Sequence, residues 1–307
     1  MERVLISGGN GFLGSHLVKK ALSEGFRVTV VDNLSTSNSI SVPKDVEFVK
    51  ANIEDFTTDV DYAYYIHLAA RPSPEDYILH PVETALSNSI GTLKMLEMTK
   101  RSNGIFLYAS SSETYGSADV IPTPETYWGM VNFVGLRSCY DESKRFSESL
   151  SLAFHRQLGV NVRIQRPFNV YGPRIRSDGL YGRVIPRFIE QALTNKDITV
   201  HGDGEQSRSF LYVDDWVTAT WTMLMSDVNG KIFNIGSQDE ISVNNLAIMI
   251  KNIIRSNSRI VHTAARVDDP RRRSADIKSA RSVLRWEPKI NLEEGLIKTI
   301  DYMRNKL

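Results

Sequence analysis

The sequence predicts an α/β molecule: a doubly wound parallel sheet, with a smaller, partly interleaved α/β lobe toward the C-terminus. Three observations predict it. Strand-like apolar runs alternate with helix-spaced segments from the first residues, the rhythm of βαβ units. The runs are continuous rather than alternating in polarity, as in strands covered on both faces. After about Tyr171 the rhythm loosens into glycines, arginines and short strands.

Residues 4–7 form the first apolar run, and residues 15–23 follow with helical spacing. Strands are expected at 27–31, 46–50, 64–68, 104–109 and 162–165, with helices at 83–101 and 141–157 between them. The second half predicts strands at 198–201 and 232–235 and helices at 184–193, 214–224 and 243–254. The expected division is 1–170, with a returning segment near 209–236, and 171–307 for the smaller lobe.

The first strand ends in Gly8-Gly9-Asn10-Gly11-Phe12-Leu13-Gly14. Gly8 suits a tight turn, Gly11 admits a pyrophosphate against the backbone, and Gly14 lets the helix pack on the strand. A strand before it and a helix after it are the Rossmann context that gives the pattern meaning, with phosphates at the helix N-terminus. About twenty residues on, Val30-Val31-Asp32-Asn33 closes the second strand. A carboxylate there accepts from both ribose hydroxyls and repels a 2′-phosphate, favouring NAD over NADP.

Composition narrows the function classes. With 37 Lys plus Arg against 36 Asp plus Glu, no field of one sign calls for nucleic acid. No apolar run approaches the ~20 residues of a membrane span. The single cysteine, Cys139, cannot pair within the chain, and Met1-Glu2-Arg3 leads directly into a strand. A cytoplasmic setting is the expectation; no metal site is expected.

Tyr140 and Lys144, four apart on a helix, share a face. An ammonium and a bound nicotinamide cation favour the phenolate, allowing Tyr140 to take a proton from a sugar hydroxyl as hydride leaves the same carbon. Ser110-Ser111-Ser112-Glu113 follows the run ending at Ala109, at the carboxyl end of a strand, where such sheets place their chemistry. Ser111 can bond the same hydroxyl; Glu113 is either an acid, a base or water-orienting group, or a solvated loop carboxylate. Arg166, Arg174, Arg176, Arg183, Arg187, Arg208, Arg266 and Arg271-Arg272-Arg273 crowd the second half. Guanidinium forks suit a diphosphate, though most arginines in any chain face solvent or surface carboxylates.

Together these motifs resemble the extended short-chain dehydrogenase/reductase family, and within it the UDP-glucuronate decarboxylases. The likeness runs from Gly8 to the last helix. Its most specific stretch is Glu125-Thr126-Tyr127-Trp128-Gly129 through Arg137-Ser138-Cys139-Tyr140-Asp141-Glu142-Ser143-Lys144-Arg145. His67-Leu68-Ala69-Ala70, Phe168-Asn169-Val170-Tyr171-Gly172-Pro173-Arg174, Gly202-Asp203-Gly204 and Asp268-Asp269-Pro270-Arg271-Arg272-Arg273 also match.

The resemblance implies NAD held by Gly8, Gly11, Phe12, Leu13, Gly14, Asp32, Asn33, Asn52, Ile53, Leu68, Ala69, Ala70 and Asn88, together with Tyr140 and Lys144. It implies catalysis by Ser111, Glu113, Tyr140 and Lys144. Arg208 stands where the family grips the diphosphate and Arg273 where it engages the substrate carboxylate. Asn169, Arg174, Arg183, Arg71 and Glu113 complete the substrate side. The implied reaction oxidises C4 of UDP-glucuronate, loses CO₂ and restores the hydride, giving UDP-xylose. A homodimer through a four-helix seam of the 83–101 and 141–157 helices is implied as well.

The chain departs from the family at Asn52, usually Asp, at Phe133 and Leu136, and at 179–182, which is slightly longer. Arg71 is the departure most able to alter which substrate fits. Three other readings stay open: a nucleotide-sugar 4-epimerase, a 4,6-dehydratase, and an NAD-binding regulatory protein without turnover. Dehydratases of the family carry Asp-Glu where Ser112-Glu113 stands, and epimerases commonly lack the carboxylate. The intact Ser111, Tyr140 and Lys144 speak against the regulatory reading.

Overall fold

The computed structural model describes residues 1–37, 40–177, 183–265 and 270–306. Arg266, Asp268-Asp269 and the 179–182 insertion lie outside them. The elements in order are β1 (Arg3–Ser7), α1 (Phe12–Ser23), β2 (Arg27–Val31), β3 (Glu47–Val49), β4 (Tyr64–His67), α2 (Pro74–Leu79), α3 (Pro81–Ser102), β5 (Ile105–Ala109), α4 (Ser138–Leu158), β6 (Asn161–Pro167) and β7 (Val170–Tyr171). Then come α5 (Val184–Leu193), β8 (Ile198–His201), β9 (Ser207–Ser209), β10 (Leu211–Tyr212), α6 (Val213–Met225), β11 (Lys231–Ile235), β12 (Glu240–Ser242), α7 (Val243–Ile254), β13 (Ile260–Thr263), β14 (Arg272–Arg273) and α8 (Leu292–Arg304).

Seven strands form one sheet in the order β11-β6-β5-β4-β1-β2-β3. Neighbours from β3 to β6 pair in parallel. Strand order reverses between β1 and β4, the switch point at which doubly wound sheets bind ligands beyond the strands' carboxyl ends. Val4, Leu5 and Ile6 are buried without alternation, as are Val162 and Ile164, because helices cover both faces. One core joins Leu5, Tyr65, Phe106 and Ile164 of the sheet with Met95, Leu96 and Met98 of α3.

Two compact units share the chain: Met1–Thr114, Val131–Arg166 and Val217–Phe233 in the first, and Tyr115–Met130, Pro167–Trp216 and Asn234–Leu307 in the second. In the first, Arg163 ends α6 by donating to the carbonyls of Leu224, Ser226 (2.6 Å) and Val228 (2.8 Å). The second holds a three-stranded sheet, β12-β9-β14, and the pairs β8–β13 and β7–β10. Its α5 buries Ile185, Phe188, Ile189 and Ala192, an i, i+3, i+4, i+7 stripe. Asn234, fully buried, ties the 115–130 segment into this unit. It accepts from the Tyr115 hydroxyl at 2.7 Å and donates to the carbonyls of Thr123 and Asp276, while its amide donates to Glu125.

Helix α2 is absent from the sequence reading, although Ser73-Pro74-Glu75-Asp76 carries a start signal: a capping residue type, proline at the first helical position, and acids in the first turn. Helices α1 and α4 each begin three residues earlier than expected. Among the described residues no helix is long and apolar enough to cross a membrane.

Candidate active site

The glycine loop turns at Gly8, whose φ of +70° is left-handed backbone that glycine adopts freely. A Cβ on Gly8 would stand 2.7 Å from the amide nitrogen of Ala69, so the ends of β1 and β4 touch there. A Cβ on Gly14 would meet Gly8 O and lie 2.6 Å from Gly9 Cα, leaving α1 no room for a side chain against the turn. Gly11 caps α1 in extended conformation without a side-chain hydrogen bond. Phe12 and Leu13 begin the helix, Phe12 meeting His16 edge-on at 5.8 Å.

Asp32 accepts from the amides of Asn10 (3.0 Å) and Leu34 (2.9 Å). Burial raises its pKa above the usual carboxylate value, and those two amides oppose the shift. Asn33 donates to Asn52 at 2.9 Å, joining two residues expected near the cofactor. Ile53 is buried beneath Gly91 of α3. Leu68 donates its amide to Ser7 O, and Ala69 donates to Ser7 Oγ at 3.4 Å, fixing the chain that leads into Ala70. The cradle of glycines, the half-buried Asp32 and the close approach of Gly8 to the Leu68–Ala69 backbone fit a dinucleotide.

Ser111 and Glu113 follow β5, where a tight turn lets Ser111 Oγ accept from the Glu113 amide at 3.2 Å. Glu113 is ion-paired with Arg137, the residue that precedes α4. Tyr140, buried, and Lys144, fully buried, lie one turn apart on α4. Lys144 Nζ donates to Ala109 O at 2.8 Å and stands 4.8 Å from the Tyr108 ring centre and 5.7 Å from that of Tyr140. Burial lowers its pKa to about 7, against the opposing pull of Glu148. Glu148 is held two-pronged by Arg166, Nε to Oε1 at 2.8 Å and Nη2 to Oε2 at 2.5 Å. Asn88 of α3 donates to Ser143 Oγ at 2.9 Å and accepts from Ser147, anchoring α4 around Lys144. Tyr77 of α2 stacks on Tyr140, ring centres 5.1 Å apart and planes 12° apart.

One unit thus brings together the glycine loop, Asp32, Leu68–Ala70, Asn88, Ser111, Glu113, Tyr140 and Lys144. Arg71 lies there also, with Nη1 donating to both carboxylate oxygens of Asp76 at 2.8 and 3.1 Å. Asn33, Asn52 and Ile53 belong to this unit too, whereas Asn169, Arg174, Arg183, Arg208 and Arg273 belong to the second. Arg208 on β9 and Arg273 on β14 are register partners on adjacent strands, 8% and 6% exposed. Asn169 takes a φ of +40° and donates to Ser209 O at 2.9 Å; Arg174 has φ +72°, and Arg183 precedes α5. Others of the arginine group hold neighbours within the fold: Arg187 bonds His201, Arg271 pairs with Asp203, and Arg272 with Glu240.

Sequence reasoning missed Tyr77 and Arg137. The pairing of Arg137 with Glu113 was not legible, since the two lie 24 residues apart in the chain. Nor was the stacking of Tyr77, because it requires α2 to fold back on α4.

Known proteins resemble the chain in sequence and in fold. The chain is 43% identical to UDP-glucuronic acid decarboxylase 1 of Xenopus tropicalis over 100% of its own length and 73% of the relative's. It is similar in structure to the UDP-glucose 4-epimerase of Thermotoga maritima solved with UDP-glucose: TM-score 0.92, 33% identity, 99% of each chain covered. MoeE5, solved in complex with UDP-glucuronic acid and NAD, aligns at TM-score 0.87 and 28% identity over 99% of this chain and all of that one. The family model for "NAD dependent epimerase/dehydratase family" matches residues 4–236. With a Rossmann sheet, a glycine cradle beside Asp32 and a buried Tyr140–Lys144 pair on α4, the chain belongs to the NAD dependent epimerase/dehydratase family.

Proposed function

We propose that the protein converts UDP-glucuronate to UDP-xylose through a 4-keto sugar, with its NAD regenerated in each turnover. The observation that carries this reading is whole-chain identity of 41–44% to curated relatives named UDP-glucuronic acid decarboxylase. Ser111, Glu113, Tyr140 and Lys144 are all present in the chain that makes this match.

NAD, which the Gly8–Gly14 loop and Asp32 would hold, would supply the hydride acceptor and donor for C4 of the sugar, whose ketone stands β to the C6 carboxylate. Tyr140 accepts the C4 hydroxyl proton, with Lys144 beside it stabilising the phenolate. Loss of CO₂ moves the bonding pair of C5–C6 toward the C4 oxygen. Tyr140, now a phenol, and Ser111 donate to that oxygen as it becomes negative. Glu113, steadied by Arg137, orients the water that protonates C5. Arg208 and Arg273 supply the cationic side, the first for the diphosphate and the second for the substrate carboxylate; Asn169, Arg174 and Arg183 are assigned to the same ligand.

The assembly we favour is a homodimer, and its setting the cytoplasm. Val82, Leu86 and Ile90 form an exposed i, i+4, i+8 stripe on α3, and Phe146 is exposed on α4, which suits a seam of two helices from each copy.

The test is incubation of the purified protein with UDP-glucuronate and no added reductant, followed by mass spectrometry. Carbon dioxide and UDP-xylose are the expected products. An isomer of unchanged mass would make it an epimerase, and loss of water a dehydratase.

A further inference from the structure

We propose that Arg71 and Asp76 form a strut that holds Tyr77 against the phenol of Tyr140, making all three positioning residues for the proton transfer. The inference rests on Tyr140 being the base. Asp76 is fully buried at the start of α2, and Arg71 Nη1 donates to both of its oxygens. A buried ion pair adds little net stability, because desolvation offsets most of the attraction; what it fixes is geometry. The residue after Asp76 is Tyr77, 1% exposed and stacked nearly parallel on Tyr140.

Helix α2 spans only six residues, too few to hold an orientation by its own hydrogen bonds. It is pinned from outside by Arg71, whose guanidinium grips Asp76 in its first turn, and Pro81 opens α3 two residues after its end. Cys139, the residue before Tyr140, points its thiol at Tyr77 O at 3.5 Å, a second tie between α2 and the start of α4. With one face covered by Tyr77, the phenol ring has a single seat, and its oxygen stays aimed while water is kept from that face. Arg71 is thereby engaged inside the protein, a role that accounts for this cation in the loop after β4 without a substrate contact.

The experiment measures kcat and KM with UDP-glucuronate, and bound NAD, for the holoenzyme and for Arg71→Met, Asp76→Asn, Arg71→Lys and Tyr77→Leu. Arg71→Met and Asp76→Asn are expected to lower kcat about 10- to 100-fold, the cost of a small misplacement of a reacting group. KM and NAD content should stay near wild type, and Arg71→Lys should recover most of the rate. Tyr77→Leu, which removes the ring and leaves the strut, should show the same loss in kcat if the stack is what the strut serves. Wild-type kcat in Tyr77→Leu overturns the proposal. So does a loss confined to KM in Arg71→Met, which would make Arg71 a substrate contact. Tyr140→Phe separates the two levels: full turnover there sinks the base assignment itself, whereas a dead Tyr140→Phe beside fully active strut variants sinks only the strut.

Discussion

Lys144 is a buried ammonium with one carbonyl partner and an aromatic face, and this has a thermodynamic signature. Its pKa falls from 10.5 to about 7 on folding. Between those values the unfolded chain holds a proton that the folded chain lacks, so stability rises with pH through that window; below about pH 7 the full burial penalty applies. Lys144→Met should therefore be more stable than wild type at pH 6, with the advantage shrinking toward pH 10. Thermal unfolding across pH checks this, and a constant difference would mean that the lysine titrates normally. His67, fully buried, has its pKa held down at about 3 by desolvation, with the Lys144 charge adding to the shift, so its neutral ring is part of the same buried cluster. Tyr140→Phe should retain NAD and lose at least about 100-fold in kcat, within the usual contribution of a positioned general base. The Tyr140–Lys144 pair was legible in the sequence because its spacing is local. The pairing of Glu113 with Arg137 was not, since the partners are 24 residues apart and meet only when the intervening segment returns to the start of α4.

Among elements, the parallel strands were the most legible, because strands covered on both faces write themselves as uninterrupted apolar runs. Strand β3 is shorter than its apolar run, 46–50, suggested. Helix α2 was hidden because six residues carry no periodicity to read. Helix α1 depends on the absence of a side chain at its start. Gly14→Ala places a methyl against backbone atoms of Gly8 and Gly9, which have no rotamer with which to yield. The expected outcome is a shifted turn, with bound NAD lost on purification while circular dichroism stays close to wild type. Normal NAD content in Gly14→Ala would show that the turn has slack. Arg163 offers a contrast far from the chemistry: Arg163→Met strips three carbonyl partners from the end of α6. It should lower stability by about 1.5–3 kcal/mol, the range for hydrogen bonds to charged groups, with kcat unchanged in assays below the unfolding temperature.

At the scale of the whole molecule, the loosened second half concealed which arginines matter. Sequence position alone could not distinguish Arg271 and Arg272, which pair with surface carboxylates, from Arg273 beside them, turned inward opposite Arg208; strand β14 makes that choice by alternating its side chains. The exposed stripe on α3 predicts assembly: light scattering should give twice the chain mass for wild type and the single-chain mass for Val82→Glu/Leu86→Glu. A monomeric wild type would leave the stripe without this explanation. The claim on which the account turns is that the hydrogen at C4 is lent and returned within one active site. The direct measurement uses UDP-glucuronate deuterated at C4, in ordinary water, with the product read by mass spectrometry and NMR. The expected product is UDP-xylose that keeps its deuterium at C4 while gaining solvent hydrogen at C5. Deuterium washed out of C4, or a product that keeps its carboxylate, would contradict it.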